Sequence, residues 1–125
     1  MSIRRASIRK TEVFALDQLL AKRLQAGRSY LEFLRVPAMS AGVYVLPAGA
    51  PDPQQPHHQD EIYYVVRGKA KMRLGGNERA EERAEERSVR EGSVIFVEAG
   101  LEHRFFDVEE ELVVLVVFAP EEIST

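Results

Sequence analysis

Gly49-Ala-Pro-Asp-Pro-Gln-Gln-Pro-His-His-Gln-Asp-Glu-Ile-Tyr-Tyr-Val-Val-Arg-Gly68 sets metal-ligand residue types at ordered intervals where a loop runs into a strand. Side chains alternate sides along an extended chain, so even steps share a face. Gln55, His57 and Glu61 are separated by two and four residues and are expected on one face, with His58 on the other. The proline-rich half ends at Pro56, and the β-branched and aromatic run Ile62 to Val66 predicts a strand. The candidate ligands thus fall at a loop-to-sheet junction.

Outward from this stretch the chain is a series of short apolar alternations. On the C-terminal side, Gly68 predicts a tight turn. Lys69 to Leu74 then returns as a strand, with Ala70, Met72 and Leu74 on one face and Lys69, Lys71 and Arg73 on the other. Gly75-Gly76 predicts a hairpin tip. Between Glu78 and Arg87 the unit Arg-Ala-Glu-Glu occurs twice, placing like charges four apart, which disfavours an isolated helix and predicts a solvated hairpin extension. Ser93 to Val97, His103 to Val108 and Leu112 to Phe118 are further strand candidates, separated by turns at Glu98-Ala-Gly and at Glu109 to Glu111. On the N-terminal side, Leu16, Leu19, Leu20 and Leu24 predict a short amphipathic helix over residues 16–26 that Gly27 ends. Tyr30 to Val36, closed by Pro37, and Gly42 to Leu46 are strands. At least seven short strands and one helix imply an all-β barrel or sandwich.

Composition narrows the function classes. The 125 residues make one domain, 1–125, with a barrel over about 28–120. Seventeen basic residues against twenty acidic ones, net charge −3, with no basic stripe interleaved with aromatics, argue against a nucleic-acid partner. Without cysteine, disulfides, thiolate nucleophiles and thiolate metal sites are excluded, so any metal must be held by nitrogen and oxygen. The longest apolar run, Leu112 to Ala119, falls far short of the roughly 20 residues of a membrane helix. No membrane partner and a soluble, cytoplasmic location are expected.

A second constellation, Gly92-Ser-Val-Ile-Phe-Val-Glu-Ala-Gly-Leu-Glu-His-Arg-Phe-Phe-Asp107, places a lone histidine just after a turn. His103, Phe105 and Asp107 are expected on one face, so an inward His103 would bring Asp107 inward too. With both segments in view the chain resembles the cupin superfamily. The first cupin motif is matched in spacing by Gly49, Gln55, His57, Glu61 and Gly68, the second by Gly92, Glu98, Gly100, His103 and Asp107. Two motifs in order are far more specific than one.

The resemblance implies a double-stranded β-helix (cupin, jelly-roll) barrel that binds one divalent transition metal, with His57, Glu61 and His103 as ligands. Gln55 stands where the family usually has its first histidine and offers at most an amide oxygen, either to the metal or to a neighbouring group. Two histidines and a carboxylate suit iron(II) and oxygen chemistry best, while manganese, nickel, zinc and cobalt occupy similar sites. Glu98 replaces a loop proline and Asp107 an asparagine, and neither change removes a ligand. Tyr63 and Asp107 are the expected proton donors or acceptors, and His58 is a rim residue. Two functions remain open: an oxygenase-like metalloenzyme acting on a small organic molecule in the barrel pocket, with isomerase or decarboxylase chemistry as variants, or a non-catalytic metabolite-binding barrel. A homodimer is expected, because the strands Tyr30 to Val36 and Leu112 to Phe118 would leave open sheet edges.

Overall fold

The computed structural model describes residues 11–53, 56–76 and 84–120. Among the described residues one helix, α1 (Leu16–Ala26), precedes six strands: β1 (Tyr30–Val36), β2 (Met39–Leu46), β3 (Asp60–Leu74), β4 (Glu85–Arg90), β5 (Val94–Val97) and β6 (His103–Ala119). All pairings are antiparallel, in the order β1-β2-β6-β3-β4, with β5 also on β3. Residues from β2, β3, β4, β5 and β6 bury side chains into one cluster that includes Tyr44, Tyr63, Met72, Val89, Val97 and Phe105. The sheet therefore curls around a shared interior, as the all-β barrel reading requires.

Two strands are longer than the sequence suggested. The predicted pairs Ile62–Val66 and Lys69–Leu74 form the single strand β3, and His103–Val108 and Leu112–Phe118 form β6. Gly68 makes no hairpin turn, and Glu109 to Glu111 lie within a strand. The reason is a close backbone crossing: a Cβ at Gly68 would lie 2.3 Å from the Glu111 carbonyl oxygen, and the residue has φ +107°. Register shifts between Val65 and Lys71 mark bulges at this crossing. Each bulge changes which parity of residue faces inward. In β3 the buried residues are Glu61, Tyr63 and Val65 before it and Ala70 and Met72 after it. In β6 they are His103 and Phe105, then Val108, Leu112, Val114, Val116 and Phe118, with Val113 also buried but outside the interior cluster. Each long strand thus bends and contributes to two walls of the barrel. One edge of β3 serves two partners in turn, β5 against residues 61–64 and β4 against residues 69–74.

Helix α1 packs on β1 and β2, not into the interior. Leu19 is buried, whereas Leu24, expected on the apolar face, is exposed. Gly27 closes the helix in the left-handed region. β2 is buried on both faces from Ser40 onward, which fits a strand lined inside by the core and covered outside. The predicted charged extension is in part strand: Glu85 to Arg87 belong to β4, with Arg73 bonded to Glu86 at 3.2 Å, while residues 77–83 lie outside the described residues. One basis for expecting a dimer fails, since Leu112 to Phe118 is flanked on both sides, by β2 and β3, and has no open edge. No helix among the described residues is long and apolar enough to cross a membrane.

Candidate metal centre

The site forms where two loops meet at one end of the barrel. The 47–59 loop is pinned at its start by Gly49 N–H donating to the Val108 carbonyl, 2.9 Å. At its far end the Gly100 amide donates to the His57 carbonyl, 2.7 Å, and the Ala99 amide donates to Asp60 Oδ1, 2.9 Å. The turn of the second motif is thereby fastened to the loop of the first. Gly100 has φ +81°, a conformation glycine adopts without strain. These ties bring His57 from the loop, Glu61 from the start of β3 and His103 from the start of β6 together, with candidate ligand atoms all within 4.8 Å of one another.

The chemistry of this trio fits a bound cation. Glu61 is 2% exposed and His103 5%. The His103 Nδ1 atom lies 2.9 Å from the Leu101 carbonyl, which can only accept, so Nδ1 carries the hydrogen and Nε2 is turned to the interior. There Nε2 stands 3.0 Å from Glu61 Oε1. Despite this short distance, His103 Nε2 and both Glu61 oxygens lack hydrogen-bond geometry to any partner among the described residues. Unpartnered buried acceptors are costly, on the order of 1–3 kcal/mol each or more when charged. A neutral imidazole lone pair facing a buried carboxylate is held together by a proton or by a metal ion. Burial works against charge on His103, but the Glu61 carboxylate, the Leu101 carbonyl and the more distant Asp52 outweigh it and raise the pKa above the usual histidine value. His57 completes the wall, its ring 5.7 Å from that of His103 and edge-on to Phe118 at 4.8 Å.

The remaining sequence candidates separate clearly. Tyr63 is fully buried and faces the interior, with its ring 5.9 Å from that of His103 and 5.2 Å from that of Phe105. Asp107 is corrected: it does not share the inward face of His103 and Phe105. It sits in the β6 bulge at φ +50°, with its carboxylate on the surface 3.7 Å from Lys71 Nζ, and Val108 takes the inward position. Gln55 lies outside the described residues. His58 is exposed, as a rim residue should be.

Two residues of consequence were not singled out in the sequence. Asp52 is buried, accepting from the Tyr44 hydroxyl at 2.6 Å and from the Phe105 amide at 2.8 Å. Burial and then the Asp52 carboxylate push the Tyr44 pKa far up, so this phenol stays protonated. The available signal was Asp52 between two prolines, an acidic residue in a segment too rigid to swing out. Tyr44 read simply as one member of a strand alternation.

This fold defines a class, the small jelly-roll barrels, and the trio is its candidate metal site. The chain belongs to the cupin family: the family's cupin-domain profile matches residues 42–118. It is 45% identical over 111 residues to an uncharacterized protein of Streptomyces coelicolor, covering 89% of this chain and 98% of the relative. Among solved structures it is similar to an uncharacterized conserved protein with a double-stranded β-helix domain from Klebsiella pneumoniae. That match has TM-score 0.68 and 16% identity, over 89% of this chain and 91% of the other. It is also similar to Fe(II)-HppE crystallised with an alternative substrate, with TM-score 0.59 and 21% identity, over 71% of this chain and 48% of that one. At these identities the structural matches speak for the fold.

Proposed function

We propose that the protein binds one divalent transition metal through His57, Glu61 and His103 and uses it in oxygenase-type chemistry on a small organic molecule held in the barrel. The observation that carries the metal reading is the buried, unpartnered face-off of His103 Nε2 and the two Glu61 oxygens. A cation satisfies all three at once. Oxygenase chemistry is favoured by the donor set, two imidazoles and one carboxylate, which suits iron(II) with open positions. The similar fold of Fe(II)-HppE supports iron as the first metal to test.

When bound, the metal supplies a Lewis-acidic, redox-capable centre. The protein's residues supply the rest. The Leu101 carbonyl fixes the His103 tautomer, so Nε2 needs no reorganisation to act as a donor. Tyr63 and Phe105 wall the interior beside His103 and exclude water. The Tyr63 hydroxyl is the ionisable group from the sequence reading that remains in place to hold or pass a proton, and Asp107 takes no part. The test is metal content by mass spectrometry on tag-free protein, set against a His57→Ala, His103→Ala double variant. Near one metal per chain, lost in the variant, supports the reading, and oxygen uptake with iron(II) against catechols, thiols and diketones then tests turnover. No metal in either protein, even after reconstitution, sinks it and favours a metal-free binding barrel.

The partner we propose is a second copy of the chain, on a different ground from open edges. On the outer face Ile62 pairs with Phe96 and Tyr64 with Val94 across β3 and β5, and all four are exposed, Phe96 at 60% and Val94 at 67%. They form a contiguous exposed apolar patch, the kind of surface that often serves an interaction. Half-buried Leu115 and Val117 extend the rows toward β2. With no charged side chain within these rows, a two-fold can set the face against itself without like-charge repulsion. A monomeric mass by light scattering at micromolar concentration would remove this proposal.

A further inference from the structure

We infer that Asp52 is a positioning residue of the metal centre, clamping the His57-bearing loop onto the His103-bearing strand and setting a second buried negative charge beside the trio. The inference rests on the metal reading above and concerns a residue outside the ligand set.

The geometry has three parts. Asp52 lies in the 47–59 loop, five residues before His57, and its side chain enters the barrel at 4% exposure. Its Oδ2 accepts from the amide of Phe105, two residues beyond His103, at 2.8 Å. Its Oδ1 accepts from Tyr44 on β2 at 2.6 Å. One carboxylate therefore ties the loop that carries one ligand to the strand that carries another, and β2 braces the tie from a third side. The Gly100 amide to His57 carbonyl bond joins the same loop and turn at their other end. Loop and strand are thus fixed at two separated points, which restricts the position of the His57 ring relative to His103.

Charge gives the residue a second effect. The Asp52 carboxylate enters the interior with a hydrogen-bond donor on each oxygen, the Tyr44 hydroxyl and the Phe105 amide, and bonds of this kind are strongest to a charged acceptor. Glu61 and Asp52 bring two carboxylates into the same interior, a donor charge that suits one divalent cation. Asp52 does not touch His103, but the Phe105 amide holds its carboxylate against the strand two residues beyond that ligand, close enough for its charge to favour a divalent cation in the buried site.

The experiment uses the full chain and cobalt(II) as the probe. Titration followed by visible absorption reports ligand geometry, and chelator competition gives the dissociation constant. Asp52→Asn keeps the shape, and with the Tyr44 hydroxyl turned to accept from the new amide it keeps two hydrogen bonds while losing the charge. Asp52→Ala loses both. We expect Asp52→Asn to weaken cobalt(II) binding about tenfold with an unaltered spectrum, and Asp52→Ala to weaken it up to about a hundredfold with changed d–d bands. A merely structural role would lower the thermal midpoint of the metal-free chain and leave both cobalt readouts where they were, and that result would overturn the inference. Should Asp52→Ala fail to fold, wild-type-like cobalt affinity in Asp52→Asn overturns the charge effect on its own. A wild-type chain that binds no cobalt sinks the metal reading and this inference with it. Wild-type binding with both variants within twofold of it sinks the inference alone.

Discussion

The first half of β3 departs from an ordinary small domain on both faces. Inside, Glu61 is a carboxylate almost sealed from solvent, followed by the buried phenol Tyr63. Outside, Ile62 and Tyr64 stand against Phe96 and Val94 in water. In the second half of the same strand the usual order returns, with Ala70 and Met72 inside and Lys69, Lys71 and Arg73 outside. Stability alone would place apolar residues inside along the whole length. The half that departs from this rule is the half that carries the site, and its outer face carries the proposed partner surface. One buried carboxylate inside and one apolar patch outside mark this half of the strand.

The largest effect that tests this contrast is expected at Glu61. Glu61→Leu should cost metal affinity at least about a hundredfold, because a charged ligand is lost. It should also stabilise the metal-free chain by about 1–3 kcal/mol in urea unfolding above the pH at which His103 loses its proton, where the buried carboxylate faces no donor. A loss of stability together with metal would mean that the carboxylate is structural. On the outer face, Phe96→Glu should halve the mass seen by light scattering at micromolar concentration, leaving circular dichroism and metal binding unchanged. A dimer that persists would place the contact elsewhere.

The third expected effect is pH dependence at the inner face. The folded pKa of His103 is raised in the metal-free chain, so its imidazolium contributes stability that is complete below the unfolded value near about 6.5. That contribution is lost as pH rises through the folded value. The metal competes for the same lone pair, so affinity should fall about tenfold per pH unit below the folded pKa. The onset should therefore lie above about 6.5 rather than at it. Flat affinity from pH 5 to 8, measured by competition titration, would remove His103 from the ligand set. The smallest effect is at Asp107, where Asp107→Asn should leave metal affinity unchanged and alter stability by less than about 0.5 kcal/mol, since its partner Lys71 is a solvent-exposed one.

The legible parts of the sequence were those that depend on local order. The even spacing of His57 and Glu61, the lone His103 after a turn and the end of the helix at Gly27 all survive in the structure, because each is set within a few residues. What could not be read required knowledge of the opposite strand. Gly68 looks the same in sequence whether it turns a hairpin or lets another backbone pass, and only the nearness of Glu111 decides. Asp107 lost its predicted face for the same reason: alternation carries a side-chain direction forward only until a bulge intervenes, and bulges answer to the pairing partner. Asp52 was hidden because its partners, Tyr44 and Phe105, are 8 and 53 residues away.

The bulges at Gly68 and Asp107 have a consequence for how this chain tolerates insertions and deletions. Inward and outward are a matter of parity along β3 and β6, and each bulge is a place where parity is counted afresh. Losing one residue between Val65 and Ala70 would turn one half of β3 inside out while the other kept its orientation. If the Ala70 half stayed fixed, Glu61 would move to the outward position of Ile62, Ile62 would turn inward to the position of Tyr63, and Asp60 would fall where Glu61 now stands. A length change of one at this point is therefore worth more to the site than most substitutions within it, and homologous chains should keep the count here even where the residues themselves drift.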